Sequence, residues 1–143
     1  MLDLASVVID TNVALDIWVF QDPRTEGLRN ALKEGRLKWI ATQSMREELK
    51  RVLAYPHIQL RLTNLGLEID AVLCRFDELV HMMDVAPKAV YSCKDLDDQK
   101  FIDLAVHYQT PLVSKDKCVL AMKNRLKRLN VLVVSEWGSD SIE

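Results

Sequence analysis

A chain of 143 residues, 49% hydrophobic and 28% charged with only four glycines and four prolines, has the makings of one ordinary domain with a packed core, and a fibrous or low-complexity chain is excluded. Nineteen basic against 21 acidic residues leave a formal charge of −2, so bulk charge does not mark a nucleic-acid binder. No apolar run approaches the roughly 20 residues that span a bilayer, nothing resembles a secretion signal, and Cys74, Cys93 and Cys118 lack the C-x-x-C spacing of a zinc site or an even-numbered disulfide framework. The expectation is a single domain over residues 1–143, away from membranes, in a reducing cytoplasm.

In chain order, Val7 to Ile9 is a β-branched apolar run suited to a buried parallel strand. Thr11 or Asn12 is positioned to cap a helix running through Phe20. Asp22-Pro23 then supplies a cap with proline at the first helical position, and Gly35 a stop, which predicts a helix over Pro23 to Glu34. Trp39-Ile40-Ala41 suits a short strand. Ser44-Met45-Arg46-Glu47 reads as a capping box opening a helix that carries Leu49, Val52 and Leu53, and Pro56 ends it. The apolar positions Leu65, Ile69, Val72, Leu73, Phe76 and Val80 predict one long helix from Thr63 to Met82. Pro87 to Tyr91 is read as a third strand or an extended approach. Asp97 to Tyr108 follows as a helix, Leu112-Val113 as a strand, Val119 to Arg128 as a helix and Val131 to Val134 as a last strand. This alternation favours an α/β fold: a three-layer α/β/α arrangement around a mostly parallel sheet of 4–5 strands.

Ligands of such folds bind in a crevice outside the carboxyl ends of the strands. Asp10 stands just past the first strand and Asp116 just past Leu112-Val113, so both are expected to face that crevice, although each also suits the cap of the helix that follows. Glu47 would be occupied by the capping box, whereas Glu48, about 100° further round the helix, is free to enter the crevice or to pair outside with Arg51. In Asp95-Leu96-Asp97-Asp98, the face shared with Phe101 and Ile102 selects Asp98 as the inward acid and leaves Asp95 as an extra. Grouped carboxylates cost stability unless a proton or a hard cation neutralises them, which makes Mg²⁺ or Mn²⁺ the expected cofactor. Two basic groups, Arg46, Lys50 and Arg51, and Lys115, Lys117, Lys123, Arg125, Lys127 and Arg128, form either a phosphate track or solvated helix faces.

The segments Val8-Ile9-Asp10-Thr11-Asn12, Glu47-Glu48-Leu49-Lys50-Arg51-Val52-Leu53, Asp95-Leu96-Asp97-Asp98 leading into Phe101-Ile102-Asp103-Leu104-Ala105, and Leu112-Val113-Ser114-Lys115-Asp116 resemble, in order and spacing, the four acidic motifs of PIN-domain ribonucleases, in particular those of bacterial toxin–antitoxin systems. The resemblance runs from about Val7 to Trp137. It implies Asp10, Glu48, Asp98 and Asp116 as a catalytic and metal-binding tetrad, with Ser114 supporting Asp10 and Asn12 as an auxiliary hydrogen-bonding group. The aromatic residue often found after the fourth acid is missing from Lys117-Cys118-Val119. The implied activity is metal-dependent hydrolysis of single-stranded RNA, leaving 5′-phosphate and 3′-hydroxyl ends. The implied partner is a cognate antitoxin protein.

Other chemistries find less support. His57, His81 and His107 lack ligand spacing, and no nucleophile elbow, Walker A or G-x-G-x-x-G sequence occurs. A haloacid-dehalogenase-like phosphatase would want D-x-D where Asn12 stands. A receiver-like module would want paired acids at the first strand and a phosphorylatable aspartate on a middle strand, and a non-catalytic RNA-binding module is the remaining alternative. Leu15-Asp16-Ile17-Trp18-Val19-Phe20 is apolar enough to serve as a protein contact, for a homodimer or an antitoxin, or to be buried in the core of the monomer. Trp18, Trp39 and Trp137 are read as core or interface residues.

Overall fold

The computed structural model describes residues 5–137. Five strands, β1 (Ala5–Ile9), β2 (Leu37–Ala41), β3 (Val80–Met82), β4 (Leu112–Val113) and β5 (Val133–Val134), form one sheet in the order β3-β2-β1-β4-β5. Every pairing is parallel, with Val7 opposite Trp39, Ile9 opposite Val113, and Val113 opposite Val134. The middle strands read as continuous apolar runs because both faces of a parallel sheet are covered; Val7, Val8, Trp39, Ile40, Leu112 and Val113 are accordingly all buried. Helices cover the sheet in the three-layer arrangement expected from the alternation.

The described residues form eight α-helices: α1 (Thr11–Trp18), α2 (Glu26–Lys33), α3 (Gln43–Leu53), α4 (Pro56–Leu65), α5 (Ile69–Leu79), α6 (Gln99–Tyr108), α7 (Lys117–Leu120) and α8 (Lys123–Lys127). Helix α6 packs on β1 and β4, whereas α2 packs on β2 and α7 and α8 pack on β5. Trp18 stacks on Trp39 with ring centroids 5.2 Å apart, and Phe76 meets both edge-on, which ties α1, β2 and α5 together.

Four expectations need correction. The long helix from Thr63 to Met82 is instead α4, α5 and a strand. Gly66 at φ +69° ends α4 in the left-handed conformation that glycine adopts most readily, and Val80 turns extended to pair β3 with β2. Val80 and Met82 fit a helical and a strand period equally well, so periodicity alone could not place that boundary. The third strand is therefore Val80–Met82 and not Pro87 to Tyr91, a segment opened by a proline that cannot donate to a ladder.

The helix expected over Val119 to Arg128 is two short helices that meet at Ala121 and Met122. The capping box does not form either: α3 starts at Gln43 with Thr42 as its N-cap, so Ser44 lies inside the first turn. Of the two readings of the segment from Leu15 to Phe20, burial in the core of the monomer holds for Leu15 to Val19, and Phe20 alone of that run is exposed. Its apolar residues are consumed by the sheet and by Trp39.

Candidate metal centre

The sheet reverses its winding between β1 and β4. The chain leaves β1 toward β2 on one side, whereas β4 and β5 lie on the other, and ligand crevices of open parallel sheets form at such switch points. Asp10 follows the last residue of β1, and Ser114 to Asp116 follow the last residue of β4. The main chain fastens the two strand ends together, with the Asp10 N–H donating to the Val113 carbonyl at 2.9 Å.

Capping and crevice-facing, which the sequence left as alternatives, are combined in the same residues. Asp10, and not Thr11 or Asn12, is the N-cap of α1, accepting from the Asn12 N–H at 3.4 Å through Oδ1. Its Oδ2 accepts from the Ser114 hydroxyl at 2.6 Å. Ser114 is fully buried and also accepts from the Asp116 N–H at 3.1 Å, so one hydroxyl spaces both acids. Asp116 caps α7 through Oδ1, which accepts from the Cys118 N–H at 2.8 Å. Asn12 contributes its backbone, and its side chain is exposed.

The third acidic segment forms a single 3₁₀ turn over Leu96–Asp98 ahead of α6. Asp95 caps that turn, Asp97 is exposed, and Asp98 is turned inward with only 8% of its surface accessible. Asp95, Asp98 and Asp116 each offer a carboxylate oxygen within 4.8 Å of the others. Asp98 Oδ2 is buried without a hydrogen-bond partner among the described residues, and Asp98 makes no capping bond to α6. A buried carboxylate oxygen lacking any donor is costly unless a cation or a proton meets it.

The electrostatics follow from this crowding. Burial, then the charges of Asp10, Asp116 and Asp95, push the Asp98 carboxyl up to about 7. Burial also raises Asp10 above its ordinary range. The Ser114 and Asn12 bonds pull it back, and the charges of Glu48 and Asp116 add to the rise. An all-oxygen donor set with ligand atoms this close, holding an unsatisfied buried oxygen, fits a hard divalent ion such as Mg²⁺ or Mn²⁺.

Glu48 lies outside the close group of Asp95, Asp98 and Asp116, near enough to Asp10 for their charges to interact. Its side chain is turned inward, whereas Glu47, expected to close a capping box, is exposed and the box does not form. Its Oε2 accepts from the Thr11 hydroxyl and its Oε1 from the Lys100 ammonium, the latter at 2.6 Å. Thr11 and Lys100 were not singled out in the sequence. Neither was Gln99, which is buried and clamps the loop before the turn: its Oε1 accepts from the Cys93 N–H at 2.6 Å, and its Nε2 donates to the Tyr91 carbonyl at 3.1 Å and to Asp103 Oδ1 at 2.8 Å. A polar residue on an otherwise inward helical face was the available signal. Of the basic residues, Lys115 is paired with Asp16 and Arg46 with Asp77, whereas Lys117, Lys123, Arg125, Lys127 and Arg128 are exposed.

The PIN domain family model matches residues 6–117, which include all of these acids. The chain belongs to the PIN domain family. No curated protein matches the sequence. Among solved structures, this PIN domain is similar to VapBC2 from Rickettsia felis, whose crystal structure was determined bound to a DNA fragment from their promoter. The likeness has a TM-score of 0.56 at 13% sequence identity and covers 90% of this chain and 96% of that one. At that identity the likeness speaks for the fold. Among the described residues, no helix is long and apolar enough to cross a membrane.

Proposed function

We propose that the protein is a single-domain endoribonuclease that uses Mg²⁺ or Mn²⁺ to hydrolyse phosphodiester bonds of single-stranded RNA, and that it is the toxin of a toxin–antitoxin pair. The observation that carries this reading is the unpartnered, buried Asp98 oxygen among carboxylates at the switch point of a PIN domain. Asp10, Asp98 and Asp116 would hold the ion, with Asp95 as an added ligand at the exposed rim and Glu48 completing the acidic set. The chemistry supplied by such an ion, when bound, is a more acidic water and neutralisation of the charge that develops on phosphate.

The chain's own groups supply position. Ser114 holds Asp10 and the Asp116 main chain in register, which fixes two carboxylates without relying on long side chains. The exposed lysines and arginines of α7, which is capped by Asp116, and of α8, which follows it, offer a phosphate track leading to the crevice. No nucleophilic side chain, and hence no covalent intermediate, is required. The likeness to VapBC2 supports a protein antitoxin as partner.

The test is incubation of wild-type and Asp10→Asn protein with labelled single-stranded RNAs in Mn²⁺, Mg²⁺ or EDTA, with the cleavage ends mapped. Metal-dependent cutting that leaves 5′-phosphates and is lost in the variant is the expected result. Binding without cutting across several RNAs would overturn it in favour of a non-catalytic RNA-binding module.

A further inference from the structure

The crevice is divided. At one end, Asp95, Asp98 and Asp116 bring carboxylate oxygens within 4.8 Å of one another, and Asp98 Oδ2 has no donor among the described residues. At the other, both oxygens of Glu48 are satisfied, one by the Thr11 hydroxyl and one by Lys100 at 2.6 Å. The lysine is anchored on its remaining sides. Its Nζ also donates to the Asp97 carbonyl at 2.6 Å and lies 5.1 Å from the centre of the Phe101 ring, which is itself buried. Lys100 therefore sits in a built position, held by the same turn that carries Asp98.

We infer that Lys100 is a built-in counter-cation: its ammonium takes the place of a second divalent ion at the Glu48 end of the crevice, so that the resting centre accepts one metal ion, on the Asp98 and Asp116 side. The inference rests on the metal-centre reading above and assigns Lys100 a positioning role that acts through Glu48. An ammonium and a divalent ion compete for the same carboxylate oxygens. A second ion between Glu48 and Asp10 would have to displace a cation already bonded there and meet its repulsion at close range. Lysine suits this task as a compact point charge, and its occupancy neutralises Glu48 without recruiting anything from solution.

The experiment is a titration of metal-free protein with Mn²⁺ alone, read by isothermal calorimetry and by the electron paramagnetic resonance of free Mn²⁺, for wild type, Lys100→Met, Lys100→Arg, Lys100→Met/Glu48→Gln and Asp98→Asn. Wild type is expected to bind one ion, and Lys100→Met a second, with an affinity for that second ion at least about a hundredfold above wild type, the scale set by removing one positive charge in contact with the site. Lys100→Arg, which keeps the charge, and the double variant, which removes the carboxylate that Lys100→Met frees, are expected to return to one. Circular dichroism in the same buffer checks folding, and Lys100→Arg keeps the test decisive if Lys100→Met does not fold, because a second ion in that variant would contradict the inference. Two ions in wild type, or only one in a folded Lys100→Met, would overturn the counter-cation role while leaving the metal centre standing. Absence of any Mn²⁺ binding in wild type would remove the metal-centre reading and this inference with it.

Discussion

Replacing Asp98 by asparagine should make the metal-free protein more stable while abolishing metal binding. A carboxyl raised from its ordinary 3.8 to about 7 binds more protons in the folded state than in the unfolded one throughout that interval. Stability therefore falls as pH rises from about 4 to about 7 and stays low above it, because ionised Asp98 is repelled by Asp10, Asp116 and Asp95. The ceiling of that penalty is about 4 kcal/mol, at about 1.4 kcal/mol per pKa unit, and solvent at the rim occupied by exposed Asp95 screens it to about 2 kcal/mol. Asparagine removes the charge at nearly the same volume and forfeits no capping bond, since Asp98 makes none. Urea unfolding in EDTA should thus show Asp98→Asn more stable than wild type by about 2 kcal/mol near pH 8, shrinking to well under half of that near pH 4. A loss of stability of equal size at both pH values would refute the reasoning and make Asp98 an ordinary structural residue.

Adding Mn²⁺ near neutral pH should stabilise wild type by about 2.7 kcal/mol at a free concentration a hundred times the dissociation constant, and should leave Asp98→Asn unmoved in thermal scans. Ser114→Ala removes a buried hydroxyl that serves both Asp10 and the Asp116 N–H, and should cost about 2–3 kcal/mol in urea unfolding and weaken Mn²⁺ binding about tenfold or more. Gln99→Leu would strand the Cys93 N–H and free the loop that carries Asp95, and should cost about 2–3 kcal/mol; hydrogen exchange should rise at Tyr91 to Asp95 and not in β1.

The architecture was legible because parallel strands buried on both faces announce themselves as short β-branched runs, and Val7 to Ile9, Trp39 to Ala41 and Leu112-Val113 do so clearly. What failed was local and had a common cause. Val80 to Met82 continues the apolar pattern of α5, and its strand character is imposed by pairing with Trp39 to Ala41, a partner some 40 positions earlier that no window of the chain contains. The Ser44 capping box failed for the opposite reason: a valid local signal was overruled by a neighbour, because Thr42 at the end of β2 already starts the helix.

The acids divide along the same line. Asp10, Asp98 and Asp116 could be read from the sequence because each stands at the end of a strand or the head of a helix, where a chain-local rule says which way it points. Glu48 was chosen for a reason the structure does not support. Its setting depends on Thr11 and Lys100, 37 and 52 residues away, and neither carries a local mark. That difference is physical. Carboxylates fixed by their own turns remain repelled, because nothing in a turn supplies positive charge, whereas the carboxylate fixed by distant side chains arrives already neutralised. A cation entering the crevice therefore gains most beside Asp98, where the fold has left the repulsion unrelieved, and least beside Glu48.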